Sequence, residues 1–248
     1  MAFCEYHYYS PALGRQTAAN ILLPEVGTPP YPVMYLLHGL SDDYTMWSRR
    51  SNVERHVGNV PLIVVMPDGG RGFYSDAVAG DQFLTAIAVE LVDRIDRTFP
   101  TEANRENRCV TGLSMGGYGA LKFALAYPDR FSSAVSMSGA LSWGHSNTGR
   151  DGQPLSEEWQ RLLGPNPTGG PNDLFALVEK LDPALRPALR IDCGIDDGLI
   201  ESNRLLHAHL DTLNIPHEYV EYPGAHTWDY WDEHIQDAVA FHKKALGF

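Results

Sequence analysis

The sequence is poor in the features of a disulfide-stapled, membrane-spanning or nucleic-acid-binding protein. Three cysteines in 248 residues, Cys4, Cys109 and Cys193, are too few for a disulfide framework. Cys109 and Cys193 fall in apolar, strand-like runs and read as buried thiols. No apolar run approaches the roughly 20 residues of a membrane-spanning helix. Met1 is not followed by a basic and then an apolar segment, so the expectation is a soluble, cytoplasmic protein with no membrane span. Positive charge is scarce: 19 Lys and Arg stand against 31 Asp and Glu, a formal net charge of -12. That balance argues against nucleic acid and anionic membranes as partners. Internal repeats, low-complexity tracts and linkers are also missing. With 44% hydrophobic and 20% charged residues, the chain suits one globular domain over 1–248. It is compatible with a homo-oligomer.

What is present is an alternation of apolar runs and helical patterns. Pro32–Leu37, Pro61–Met66, Arg108–Thr111, Phe131–Met137, Ala188–Cys193 and His217–Tyr222 are short runs, most of them apolar and bounded by Gly or Pro. Such runs predict buried strands of a mostly parallel sheet. Tyr6–Leu23 predicts one or two antiparallel edge strands. Between the runs, Asp81–Phe99 carries Phe83, Leu84, Ile87, Ala88, Leu91, Val92 and Ile95 on one helical face. Further helices are predicted over 116–127, 200–213 and 231–245. The pattern is a doubly wound α/β sheet with helices on both faces, whose ligands bind outside the carboxyl ends of the strands. Residues 142–171 break the rhythm with Gly, Pro, Asn and Ser and one short helical piece at 156–163. The segment is too long for an ordinary connection and reads as an excursion over the site.

Gly112-Leu113-Ser114-Met115-Gly116 carries the chemistry. Gly-x-Ser-x-Gly between a strand and a helix is the pattern of a nucleophile elbow, where a sharp turn exposes the serine hydroxyl. Acyl transfer through serine then needs a base, an orienter for that base and two oxyanion donors. The chain order for this fold is serine, acid, histidine. Of the 10 histidines, His226 alone follows the serine and closes a strand in a Gly-containing loop. His38 precedes the serine and reads as a structural imidazole. His207 and His209 differ by two on a predicted helix and face apart. Asp196 and Asp197 both sit in the loop after the Ala188–Cys193 strand, and either can turn towards His226. The backbone N–H groups of Leu40 and Met115 are the oxyanion candidates. Trp47, Phe73, Tyr74, Trp143 and Trp228 are aromatic candidates for the walls of a substrate pocket. No metal or cofactor is implied.

His38-Gly39-Leu40-Ser41, Gly112 to Ala120, Cys193-Gly194-Ile195-Asp196-Asp197 and Pro223-Gly224-Ala225-His226-Thr227-Trp228 together resemble the esterase D family of α/β-hydrolases. That family includes tributyrin esterases, S-formylglutathione hydrolases, some feruloyl and acetylxylan esterases, and mycolyltransferases. The likeness runs over nearly the whole chain and is nearest to the small tributyrin esterase type. It implies Ser114, Asp197 and His226 as a catalytic triad and a small-molecule ester as substrate. The expected activity is that of a serine carboxylesterase for short-chain acyl esters, working through an acyl-enzyme. Alternatives are an S-formylglutathione hydrolase, an acyltransferase, or a silent binding protein on the same fold. One departure from the family stands out: Gly198 occupies a position that commonly carries a bulky residue.

Overall fold

The computed structural model describes residues 1–148 and 152–247. Eight strands form one sheet in the order β1-β2-β4-β3-β5-β6-β7-β8. They are β1 (Ala2–Ser10), β2 (Arg15–Leu23), β3 (Val33–Leu37), β4 (Ile63–Pro67), β5 (Arg108–Leu113), β6 (Ser133–Met137), β7 (Ala188–Gly194) and β8 (Glu218–Tyr222). β1 pairs antiparallel with β2, and β2 antiparallel with β4. The remaining pairs are parallel. This is the mostly parallel sheet that the apolar runs predict.

Alternation along the strands builds two cores. Val33, Tyr35 and Leu37 of β3 enter one cluster, and Met34 and Leu36 enter the other. A strand covered on both faces must be apolar throughout, which is why these runs lack polar alternation. The first face is covered by α3 (Val92–Thr98) with the π-helical segment Thr85–Leu91 before it, and by α4 (Met115–Ala126), α6 (Leu174–Glu179) and α7 (Ile200–Thr212). The second is covered by α1 (Met46–Arg50), α2 (Val53–Val57) and α8 (Trp228–Leu246). α5 (Glu157–Leu163) lies in the 142–171 excursion.

Two expectations change. The helix predicted over Asp81–Phe99 is π-helical across Thr85–Leu91. The wider turn lets the consecutive residues Ala86, Ile87 and Ala88 all be buried. β8 is not a buried strand: it is the far edge of the sheet and only partly covered.

The topology places the site. From β3 the chain steps outward to β4, then returns to lay β5 on the other side of β3. The loops leaving the carboxyl ends of β3 and β5 therefore diverge, opening a crevice between them. Ser114 leaves β5 at that crevice, and His38 to Leu40 leave β3.

Candidate active site

Ser114 is the single residue between β5 and α4, with φ 54° and ψ -115°. A non-glycine residue in this region is strained and is held only by its surroundings. Those surroundings demand the two motif glycines. A Cβ on Gly112 would lie 2.2 Å from the Gly116 carbonyl oxygen, and one on Gly116 would lie 2.5 Å from the Leu37 oxygen. The turn is pinned from outside by Ser114 N–H donating to Met137 at 2.9 Å and Ala140 N–H donating to Ser114 at 3.1 Å.

The hydroxyl of Ser114 lies 2.9 Å from His226 Nε2, and His226 Nδ1 lies 2.7 Å from Asp197 Oδ2. A carboxylate only accepts, so Nδ1 carries the ring proton and Nε2 is free to accept from the serine. Asp197 is buried, whereas Asp196 is exposed. Burial alone would raise the Asp197 pKa. The hydrogen bonds from His226 and from the Leu199 amide, the latter at 2.8 Å, more than offset this and hold it below the usual value. An ionised carboxylate there can fix the imidazole tautomer and stabilise an imidazolium.

Opposite stands the loop after β3. His38 Nδ1–H donates to the Gly39 carbonyl at 2.8 Å, and its Nε2 accepts from Gly69 N–H at 2.9 Å. Tyr74 donates to the His38 carbonyl at 3.0 Å. His38 is thus a buried clamp on backbone. It seats Gly39 so close to the elbow that a Cβ there would lie 2.7 Å from Leu113 Cδ1. Leu40 follows it, and Met115 is the first residue of α4, where a helix leaves its N–H without an internal partner. Both residues line the cavity above Ser114.

That cavity has a volume of about 740 Å³ and contains Ser114, Asp197 and His226 in its wall. Its far side is the excursion: Ser142, Trp143, Gly144, Ser146, Thr148, Leu155, Trp159 and Leu163. Trp143 stacks on Phe73 with ring centroids 4.2 Å apart and 13° between planes. Trp159 meets the edge of Phe73 at 5.0 Å and Tyr118 meets Trp143 at 5.0 Å, closing an aromatic wall. The excursion is fastened by Val78 and Ala79 N–H bonds to the Leu162 and Arg161 carbonyls, and by Arg71 paired with Glu158.

A family model described as "Putative esterase" matches residues 10–242. The chain belongs to that family. It is 29% identical to the acetyl esterase of Caldicellulosiruptor saccharolyticus, over 98% of this chain and 99% of that one. Among solved structures it is similar to a fluorophosphonate-binding serine hydrolase of Staphylococcus aureus, with 28% identity, a TM-score of 0.86 and coverage of 97% and 98%. It is likewise similar to the S-formylglutathione hydrolase of the same organism, at 29% identity, TM-score 0.84 and the same coverage. The chain is a carboxylic ester hydrolase of the serine type on an α/β-hydrolase fold, as the resemblance to the esterase D family implies.

In this esterase the aromatic candidates divide. Trp143 and Phe73 line the cavity; Trp47, Tyr74 and Trp228 do not. Trp47 is buried on the opposite face, donates to the Leu37 carbonyl at 3.1 Å and meets Trp228 edge-on at 5.3 Å. Tyr74 is fully buried, its ring filling the space a Cβ on Gly119 would need. Trp159 and Leu155 were not among the candidates, because the excursion offers no periodicity that would mark which side chains turn inward. Gly198 lines the cavity, and a Cβ added there would meet nothing within 4 Å. With no side chain at Gly198, the cavity is open beside Asp197. No helix among the described residues is long and apolar enough to cross a membrane.

Proposed function

We propose that this esterase hydrolyses short-chain acyl esters through an acyl-Ser114 intermediate, as one cytoplasmic domain without a cofactor. The observation that carries the reading is the continuous hydrogen-bonded chain Ser114–His226–Asp197 at the wall of an aromatic-lined cavity. Neutral His226 takes the serine proton as Oγ attacks the ester carbonyl, and Asp197 stabilises the resulting imidazolium. The Leu40 and Met115 N–H groups receive the oxyanion, each worth roughly a hundredfold or more in rate. His226 then protonates the leaving alcohol and activates water against the acyl-enzyme. Supporting the short-acyl reading are the stacked Trp143 and Phe73, which cannot yield to a longer chain without moving as a pair.

A thioester is the second reading, favoured by the likeness to an S-formylglutathione hydrolase. Against it, no described residue lining the cavity is a lysine or arginine that would pair with a peptidic carboxylate. The test is kcat/KM for p-nitrophenyl acetate and butyrate against S-formylglutathione, in wild type and in folded Ser114→Ala and His226→Ala. Ester turnover above thioester turnover, with about a thousandfold loss of kcat in each variant, is expected. Near-wild-type activity in either variant refutes the residue roles. A large preference for the thioester replaces the ester reading.

A further inference from the structure

At the end of the sheet opposite Ser114, where the edge strand β8 begins, two imidazoles and a carboxylate converge. His207 and Asp211 stand one turn apart on α7, and His217 lies just before β8. His207 Nδ1 and His217 Nε2 are 2.7 Å apart. Asp211 places Oδ2 3.6 Å from His207 Nε2 and Oδ1 4.0 Å from His217 Nε2. One ligand atom from each residue lies within 4.8 Å of the others. Zinc at about 2.0–2.1 Å from tetrahedral ligands requires ligand separations near 3.3 Å. The separations from His217 Nε2, 2.7 Å to His207 Nδ1 and 4.0 Å to Asp211 Oδ1, bracket that value, so small side-chain adjustments bring the three onto one ion.

His217 is already arranged as a ligand. His217 Nδ1–H donates to the Ile215 carbonyl at 2.8 Å, which leaves Nε2 as the bare lone pair facing His207. A backbone carbonyl on the far nitrogen is the usual outer support of a metal-bound histidine. The His217 side chain is only 3% exposed, so its position is fixed by packing. His207 is held flat against Tyr219, with centroids 4.1 Å apart and 7° between planes. Nearby Glu221 is taken by Arg204 at 2.8 Å from two nitrogens and by Tyr219 at 2.8 Å. Asp211 has no hydrogen bond to its carboxylate among the described residues and faces solvent.

We propose that His207, Asp211 and His217 bind a divalent late first-row transition ion, zinc foremost, with water completing the coordination. Two imidazoles and one carboxylate suit zinc, nickel or copper rather than calcium or magnesium. On loading, neutral His207 moves its proton from Nδ1 to Nε2, beside Asp211 Oδ2, and Nδ1 joins His217 Nε2 on the ion. The ion ties the last turn of α7 to the start of β8. It stands about 17 Å, the length of the five-residue β8, from the triad end of the sheet. Its effect is on stability rather than on ester hydrolysis.

The experiment uses the full chain without an affinity tag, stripped with chelator and titrated with Zn2+ alone, with Mg2+ as control. One saturable Zn2+ per chain at micromolar affinity and a rise in Tm of about 5 °C at saturation are expected. Asp211→Asn and His207→Gln, both at exposed or half-exposed positions, should bind at least about tenfold more weakly, lose the Tm rise and hydrolyse esters at the wild-type rate. Absence of saturable zinc binding overturns the site. So does zinc binding that both variants retain, since another group then holds the ion.

Discussion

Asp196 and Asp197 are adjacent in sequence and chemically identical, yet only Asp197 is buried against His226. In the proposed mechanism Asp197→Asn should cost up to roughly ten-thousandfold in kcat, because the wrong histidine tautomer is then favoured. Asp196→Asn should stay within about twofold of wild type. Steady-state kinetics on both purified variants decides it, and a larger loss at Asp196 overturns the assignment. Gly198 offers a second residue-scale test. Gly198→Phe has open space for its Cβ and should narrow the cavity mouth. Hydrolysis of bulky esters should fall several-fold while acetate esters are spared; equal loss on both would show that Gly198 serves the Asp197 loop instead. At this scale the polar residues were legible and the apolar ones only in part. Ser114 and His226 could be ordered along the chain because strand-end loops carry chemistry. Trp143 is marked in the sequence by following the strand end at Ser138-Gly139-Ala140, but nothing there excludes Trp47, Tyr74 and Trp228, because which aromatics face the cavity depends on the path of backbone through loops.

Strands were the most legible elements. A short continuous apolar run such as 33–37, bounded by Pro32 and Gly39 and rich in β-formers, reads as a strand covered on both faces. The helices α1, α2 and α6 have five or six residues each, too short for a periodic face to mark them in the sequence. The excursion was visible as a long break in periodicity, and its contribution to the cavity wall follows from where Trp143, Leu155 and Trp159 lie. Its proposed role in limiting acyl length is tested through Trp143→Ala. In wild type kcat/KM for p-nitrophenyl esters should climb from acetyl to butyryl, each methylene adding up to about 0.8 kcal/mol, and then drop. The variant should move the optimum to longer chains by roughly tenfold relative to acetate, since removing an indole opens the wall. It should also lose on the order of 2–3 kcal/mol of stability from the broken stack with Phe73. A wild-type optimum at octanoyl would sink the short-acyl reading, and an unchanged profile in the variant would remove Trp143 as its limit.

At the scale of the whole molecule, two buried groups outside the Ser114–His226–Asp197 chain set opposing responses to acid. His242 on α8 lies between Thr111 of β5 and Ser133 of β6, each 2.7 Å from a ring nitrogen, and burial depresses its pKa from 6.5 to about 3. Below pH 6.5 the unfolded chain binds a proton there that the native state refuses. The His242 contribution is therefore whole above that pH and is lost as pH falls towards 3. Asp192 in β7 is fully buried, and burial raises its pKa from 3.8 to about 6, with Arg190 and the Tyr230 hydroxyl pulling the other way. Its sign is reversed: the native state holds the proton, so its contribution is present below 3.8 and is lost as pH rises through 6. Between roughly pH 4 and 6 the two slopes oppose, each approaching about 1.4 kcal/mol per pH unit, and largely cancel. Removing one should expose the other. Asp192→Asn should make stability fall more steeply from about pH 6 to pH 4 than in wild type, whereas His242→Gln should flatten or invert that limb. Urea unfolding at a series of pH values gives the slopes directly, and the slopes are insensitive to the constant packing cost of each substitution. Parallel pH profiles for wild type and both variants would show that neither group couples folding to protons in this window.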